Sequence, residues 1–255
     1  MEQWVELLLI TSAAFLAGLI DSIVGGGGLV LVPALFSTFP HAHPATLFGT
    51  NKGASVWGTA FATLQYSRRV VLPWRVLLPA AVVCGVASLG GAWAVTRISP
   101  AYFRQALPFI LALVLIYTVV KKELGQHHQP RFTGGKEVVV ACAIGGTIGF
   151  YDGFFGPGTG SFFVFLLVRV LGYDFLHASA GAKLLNFASN LTAIALFAAQ
   201  GHIWWHLVAG MAVANVLGSW LGTRLALQHG TVLVRRVFIG VVLALIAKIS
   251  FPMLG

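Results

Sequence analysis

The stretch GLIDSIVGGGG, residues 18–28, places an aspartate in an otherwise apolar segment and follows it with four consecutive glycines. A charge at the centre of a bilayer costs about 2.5–3.5 kcal/mol on insertion scales, so ionisable residues such as Asp21 are rare there and are usually functional. Glycine has no Cβ and adopts backbone conformations that are closed to other residues. Gly25, Gly26, Gly27 and Gly28 therefore predict a sharp break in a membrane helix.

The composition of the chain defines its class. Of its 255 residues, 58% are hydrophobic and only 9% are charged, whereas a soluble domain carries about 25% charged residues. Apolar runs long enough to span a bilayer recur along the chain. We therefore predict an all-α polytopic membrane protein. Its net charge of +9 is assigned to basic loops that set topology and face anionic lipid, and not to a nucleic-acid partner.

The same pattern occurs a second time in the second half of the chain. Adding 131 to the numbers of Asp21 and Lys52 gives Asp152 and Lys183, so the two aspartate–lysine intervals are equal. This displacement, here called the repeat shift, superposes other scarce residues, tryptophan and arginine, without a gap. We therefore predict an internal duplication within one transmembrane domain, residues 1–255, with a transport site at the repeat interface. Its parts are repeat 1 (1–120), a cytoplasmic linker (121–137) and repeat 2 (138–255).

Apolar segments along both halves are candidates for membrane-embedded helices. In repeat 1 they are 4–20, 29–39, 45–66, 71–95 and 101–120, and in repeat 2 they are 138–151, 161–171, 178–200, 204–227 and 231–254. We expect roughly 8–10 embedded helices, including two glycine-broken or re-entrant segments. The run 29–39 is too short to cross ~30 Å of hydrocarbon as a straight helix.

The distribution of lysine and arginine indicates how the two halves are oriented. With five passes per half, most of these residues fall on the cytoplasmic side, whereas with four passes the asymmetry is much weaker. An odd number of passes inverts one repeat relative to the other and puts the N- and C-termini outside. We therefore predict a multi-pass protein built as an inverted repeat.

The glycine-rich breaks are the predicted chemical centre. The first N–H groups of a helix have no intrahelical partner and lie at the positive end of its dipole, so a helix that starts inside the membrane offers an anion site. In repeat 2 the break contains Gly156 and Gly158. There Thr159 and Ser161 are expected to cap the new helix or to donate to a ligand. The alternative is that the glycines only allow close helix packing.

The residues around the first break resemble the TauE/SafE family of sulfite exporters. The resemblance rests on the string at 18–28, the apolar run after it and the GTNK motif at 49–52, and it extends over nearly the whole chain. In the second half GPGTG at 156–160 and GAKLLN at 181–186 are similar to the family's looser pattern. The resemblance implies a bacterial-type inner-membrane permease for small sulfur-containing anions such as sulfite, thiosulfate, sulfoacetate or other organosulfonates.

Several polar side chains complete the candidate anion site. Lys52 and Lys183 supply positive charge, and further donors are Thr50, Asn51 and Asn186. In the alternative interpretation both lysines form structural salt bridges with the two aspartates and have no charge to spare for a substrate. The aspartates are alternatively carriers of a coupling proton, because burial raises the pKa of a carboxyl group.

These features predict a secondary transporter that works by alternating access around a midplane anion site. The membrane potential contributes about 2.3 kcal/mol per charge per 100 mV, so export of an anion needs no coupling ion. A proton-coupled importer and a gated anion channel are the alternatives, and a homodimer is left open. No HExxH motif or clustered nucleophile–base set occurs, so we expect no enzyme activity, catalytic residue, cofactor or metal site.

Overall fold

A computed structural model describes residues 2–99 and 129–250, with side chains over 4–99 and 129–228, and all regular structure in these ranges is helical. The helices are α1 (Glu2–Val24), α2 (Gly28–Thr38), α3 (Pro44–Ser67), α4 (Trp74–Arg97), α5 (Gly135–Phe154), α6 (Thr159–Arg169), α7 (Phe175–Ala199) and α8 (Trp205–Ser250). Four of them, α1, α4, α5 and α7, are long and apolar enough to cross a membrane. The predicted all-α class is confirmed, whereas the pass predicted at 101–120 and residues 121–128 of the linker lie outside the described residues.

The two halves have matching helix boundaries. Helices α2 and α6 begin at residues 28 and 159, α3 and α7 at 44 and 175, and α4 and α8 at 74 and 205, a difference of 131 in every pair. Each of α2 and α6 has 11 residues and is therefore about 16 Å long. That is about half of the ~30 Å hydrocarbon core, so neither crosses the core as a straight helix.

The C-terminal region differs from the prediction. The segments 204–227 and 231–254 were expected as two separate passes, but α8 is one continuous helix of 46 residues, from Trp205 to Ser250. The junction between the two segments contains the single glycine Gly230 and no proline. A lone glycine costs only about 1 kcal/mol in a helix, which is not enough to end it.

Contacts between the halves recur at equivalent positions. Helix α1 packs most extensively on α8, and α5 packs most extensively on α4. Gly18 of α1 lies against the main chain of Asn215, and Gly149 of α5 lies against the main chain of Cys84, so closely that an added Cβ would collide with it. Adding 131 to the numbers of Gly18 and Cys84 gives Gly149 and Asn215, so the two contacts are equivalent under the repeat shift. The first helix of each half therefore packs on the fourth helix of the other half through matched glycines.

Two hydroxyl hydrogen bonds follow the same equivalence. Ser88 Oγ donates to the Ser189 carbonyl at 2.9 Å, and Ser219 Oγ donates to the Gly58 carbonyl at 2.7 Å. We expect Ser88→Ala and Ser219→Ala each to lower the free energy of unfolding by about 0.5–1.5 kcal/mol. The measurement is thermal unfolding of the purified protein in detergent. Ser67→Ala, whose exposed hydroxyl bonds only within its own helix, is the control. If only one of the two substitutions lowered the stability, the two hydrogen bonds would not be equivalent.

Candidate functional site

The structure brings the four buried charges together as two ion pairs. Lys52 Nζ donates to Asp152 Oδ2 at 2.7 Å. Lys183 Nζ donates to Asp21 Oδ2 at 3.2 Å and also to the Asp21 main-chain carbonyl. Each lysine thus pairs with the aspartate of the other half and not with the preceding aspartate of its own half. Sequence spacing does not reveal this exchange, because the flexible four-carbon stem of lysine carries the ammonium away from its own helix.

The Lys52–Asp152 pair is buried, so it stabilises the protein only if its geometry is good. The side chains of Lys52 and Asp152 are 2% and 3% exposed. Removing two charges from water costs several kcal/mol per ion, and their attraction offsets this cost only when further hydrogen bonds satisfy the remaining groups. Asn190 Oδ1 supplies such a bond by accepting from Lys52 Nζ at 3.0 Å. In the second pair Asp21 is 16% exposed and is the most accessible of the four charges.

The two glycine-rich breaks meet in the interior. Gly25 and Gly156, at equivalent positions, have φ angles of +83° and +96°, a region that side chains other than glycine rarely adopt. The Gly25 backbone also lies directly against the backbone of Gly160, and Gly28 lies against Pro157. The glycines therefore serve both functions considered from the sequence, since they break the helices and allow the broken segments to pack closely.

Thr159 and Ser161 do not cap α6, so the predicted capping role is wrong; donation to a ligand stays a prediction. The N-cap position is Gly158, with no side-chain cap, and Thr159 Oγ1 donates to a carbonyl of its own break. Ser161 Oγ donates to the Val24 carbonyl at 3.0 Å, and Ser161 N donates to the Gly25 carbonyl at 3.0 Å. The physical reason is that the last carbonyls of α1 and the first N–H groups of α6 both lack helical partners and satisfy one another.

A polar cavity lies between the breaks and the ion pairs. Its volume is about 30 Å³, and its mouth is partly open. The predicted site residues that line it are Asp21, Gly25, Gly27, Gly28, Asn51, Lys52, Asp152, Gly156, Thr159 and Asn186. The predicted site residues that are not among its described lining are Gly26, Thr50, Gly158, Ser161 and Lys183. Thr50 is engaged elsewhere, since its Oγ1 accepts from Trp204 N at 3.0 Å.

Further residues line the cavity that the sequence analysis did not single out: Ala17, Ser55, Thr59, Gly160, Asn190 and Asn215. Helical spacing could have found three of the polar ones. Asn186 lies about one helical turn after Lys183 and Asn190 lies two turns after it, so all three residues lie on one face of α7. Ser55 and Thr59 have the same offsets from Lys52 on α3 as the two asparagines have from Lys183. A search for polar residues one and two turns after each lysine would have identified them.

The cavity lining is rich in neutral hydrogen-bonding groups. Asparagine amides donate and accept, and serine and threonine hydroxyls do the same. Asn51 Oδ1 is one of three buried side-chain oxygens without a hydrogen-bond partner within the described part of the chain. Such an atom has bonding capacity that a ligand could use. In residues 2–99 and 129–250 no group of three or more histidine, cysteine, aspartate or glutamate side chains is arranged to hold a metal ion.

The helix that carries Lys183 is capped at its start by Asp174. Its Oδ1 accepts from Leu176 N at 2.8 Å and from His177 N at 2.9 Å, and its Oδ2 lies 2.5 Å from His177 Nδ1. Partial burial raises the pKa of Asp174, but the backbone and ring hydrogen bonds of His177 and its charge together lower it below the ordinary value.

Asp174→Ala is expected to destabilise the protein by about 0.5–2 kcal/mol at neutral pH, because the cap is lost. A carboxyl whose pKa is lowered on folding stabilises the protein above its unfolded pKa of about 3.9, and this contribution is lost as the pH falls through the folded value. The difference in thermal stability between wild type and Asp174→Ala should therefore become smaller below about pH 4. Asp174→Asn, which keeps a capping side chain without the charge, should show a weaker pH dependence than wild type; an unchanged dependence would contradict this assignment.

A family model and several relatives, all named as membrane transporter proteins, match this chain. The family model for "Sulfite exporter TauE/SafE" matches residues 10–249. The chain is 36% identical over 239 residues to the probable membrane transporter protein ORF9 of Sinorhizobium sp, covering 93% of this chain and 89% of that protein. It is 36% identical over 242 residues to the probable membrane transporter protein YfcA of Escherichia coli strain K12, covering 95% and 88%. A probable membrane transporter protein of Haemophilus influenzae is 32% identical over 252 residues, covering 98% and 97%. No solved structure matches significantly.

Proposed function

The chain belongs to the sulfite exporter TauE/SafE family, and we propose that it is a secondary transporter for small sulfur-containing anions. The substrate class is sulfite, thiosulfate or an organosulfonate such as sulfoacetate, and the membrane is a bacterial inner membrane. Transport proceeds by alternating access around the cavity between the two glycine breaks.

The observation that carries the proposal is a buried lysine in a cavity that two aspartates and several neutral hydrogen-bonding groups also line. Lys52 is 2% exposed and is nevertheless part of the cavity lining. A sulfite or sulfonate group presents three oxygens, which require several donors and compensating positive charge. The asparagine amides and the hydroxyl of Ser55 are donors of the required kind. Ionisable residues inside membrane segments commonly mark substrate pathways.

An inverted repeat gives this cavity access to both sides of the membrane. The proposal is supported by helix starts related by the repeat shift and by glycine contacts that recur at the same displacement. In the proposed inversion α2 and α6 enter from opposite sides as incomplete spans, and the N-terminus lies outside. Rocking one half against the other exposes the site alternately.

Export is the favoured direction. With the cell interior negative, a dianion is driven outward by roughly 4.6 kcal/mol at 100 mV, which is more than a thousandfold in concentration. A uniporter therefore exports without a coupling ion. The proposal requires that flux in sealed vesicles follows an imposed potential and saturates with substrate. A flux that stays linear in substrate concentration would favour a gated channel instead.

Ligand-induced stabilisation tests the substrate class directly. We expect sulfite, thiosulfate or sulfoacetate to raise the thermal unfolding temperature of the purified protein, because a ligand at 100 times its Kd stabilises the native state by about 2.7 kcal/mol. Sulfate and taurine complete the panel, and chloride at equal ionic strength is the control. If no sulfur anion stabilises the protein more than chloride does, the proposed substrate class is wrong.

Proton-coupled uptake is a second candidate because of where Asp152 lies. Its carboxylate is 2.7 Å from Lys52 Nζ and lines the same cavity. An anion that takes over Lys52 leaves Asp152 buried without its partner, and protonation would remove that charge. A flux that depends strictly on a pH gradient at zero membrane potential, and becomes independent of it in Asp152→Asn, would establish coupling and exclude uniport.

A further inference from the structure

Lys52 and Lys183 are equivalent in sequence, but their surroundings differ. Both ammonium groups are buried and both are paired with an aspartate of the other half. Lys52 lines the cavity between the breaks, whereas Lys183 is absent from the described residues that line it. The difference bears on the proposed anion site, because a symmetric site would use both lysines in the same way.

The partners of Lys52 are all side chains. Its Nζ donates to Asp152 Oδ2 and to Asn190 Oδ1, and both acceptors can rotate about single bonds. A Cβ added at Gly156 would lie 3.8 Å from Lys52 Nζ, so the ammonium lies beside the glycine break of the second repeat. Lys52 can therefore exchange a side-chain acceptor for an oxygen of an anion without moving the backbone.

The partners of Lys183 include the backbone. Its Nζ donates to the Asp21 carbonyl as well as to the Asp21 carboxylate. The same carbonyl accepts from Gly25 N at 2.7 Å, in the last turn of α1 before the break. A main-chain carbonyl cannot rotate away independently of its helix. Lys183 is therefore bound to the end of α1 at the point where the helix breaks.

A substitution between the repeats accounts for the divergence. Asn190 holds Lys52, and the residue equivalent to Asn190 in the first repeat is Thr59. Thr59 Oγ1 donates to the carbonyls of Ser55 and Val56 in its own helix, at 3.0 Å each. The Asn190 amide therefore supports Lys52, whereas the hydroxyl of the equivalent Thr59 forms hydrogen bonds only within its own helix.

We propose that the two lysines have divided roles: Lys52 binds the transported anion through its ammonium, and Lys183 clamps the end of α1 that forms one wall of the cavity. Asn190 is a positioning residue that holds the Lys52 ammonium toward the cavity. The inference rests on the proposed anion transport and adds to it that the site has a single binding lysine. The anion takes the place of Asp152 as a partner of Lys52, while Asn190 keeps its hydrogen bond.

Two charge-neutral double variants test the division. Lys52→Gln/Asp152→Asn and Lys183→Gln/Asp21→Asn each remove one pair without leaving an unpaired buried charge. With sulfite or thiosulfate as the probe, the first double is expected to raise Kd more than tenfold with the smaller fall in unfolding temperature. The second is expected to show the reverse order, with the larger fall in unfolding temperature and the smaller rise in Kd.

The outcome separates this inference from the proposed function. Equal rises in Kd in the two doubles, or the larger rise in the Lys183 variant, would overturn the division of roles. An intact protein that binds none of sulfite, thiosulfate and sulfoacetate would instead overturn the proposed substrate class. Lys52→Arg and Lys183→Arg keep the charge if a double fails to fold, and the same order of effects on Kd and unfolding temperature is expected. Asn190→Ser should raise Kd, and this rise should be absent in the Lys52→Gln/Asp152→Asn background.

Discussion

Gly25→Ala is expected to destabilise the protein by about 2–5 kcal/mol and to abolish anion flux in vesicles. Gly25 has a φ of +83°, and a residue with a Cβ pays about 1–2 kcal/mol in that left-handed region. The new Cβ would also lie 2.6 Å from Ser161 N and would collide with the backbone of Gly160. Overpacking of this kind adds about 1–3 kcal/mol. The two breaks would have to separate, which removes the geometry of the cavity between them.

Gly201→Ala is the matched control. Gly201 has a similar φ of +73°, but no atom lies within 4 Å of the position its Cβ would occupy. It is therefore expected to show only the conformational cost of about 1–2 kcal/mol and to retain flux. Gly210→Ala, within α8 and with open space around it, should be neutral or stabilising by up to about 1 kcal/mol. Equal losses for Gly25→Ala and Gly201→Ala would mean that the contact between the breaks contributes nothing.

The local features of this fold could be predicted from the sequence. The glycine run after Asp21 predicted where α1 ends, and the apolar run after it predicted α2 as a short helix. Both follow from chemistry within a few residues, namely the freedom of glycine and the length of an apolar segment. The repeat also predicted a second short helix, which was expected at 161–171 and is observed as α6 from Thr159 to Arg169.

The partners of the polar groups could not be predicted in the same way. Ser161 was expected to serve its own helix, but the end of α1 lies close to it and needs donors. The sequence pattern repeats Lys52 together with Asp21 but does not show which aspartate it contacts, and its ammonium lies on Asp152. In both cases the partner is set by how the halves pack, which neighbouring residues in the sequence do not encode. The cavity-facing Asn190 was missed for a different reason, since helical spacing from Lys183 was not applied.

The Lys52–Asp152 pair is expected to show strong energetic coupling. Lys52→Met leaves Asp152, 3% exposed, without a positive partner, and breaking a buried pair in this way costs about 3–5 kcal/mol. Asp152→Asn should be costly for the same reason, because the ammonium then keeps only amide partners. The double variant Lys52→Met/Asp152→Asn contains neither charge and should recover most of the loss, since replacing a buried pair by neutral groups is often close to neutral.

Unfolding of the four proteins in detergent gives the coupling energy as a double-mutant cycle. Lys136→Met, which removes an exposed lysine, is the control and should stay within about 0.5 kcal/mol of wild type. Flux separates stability from function, because the double variant should be stable but should not transport sulfite. If Lys52→Met costs no more than the double variant, the two side chains are not energetically coupled in the folded protein. In that case Asp152 does not hold the Lys52 ammonium in place, and an anion could bind Lys52 without first displacing a tightly held partner.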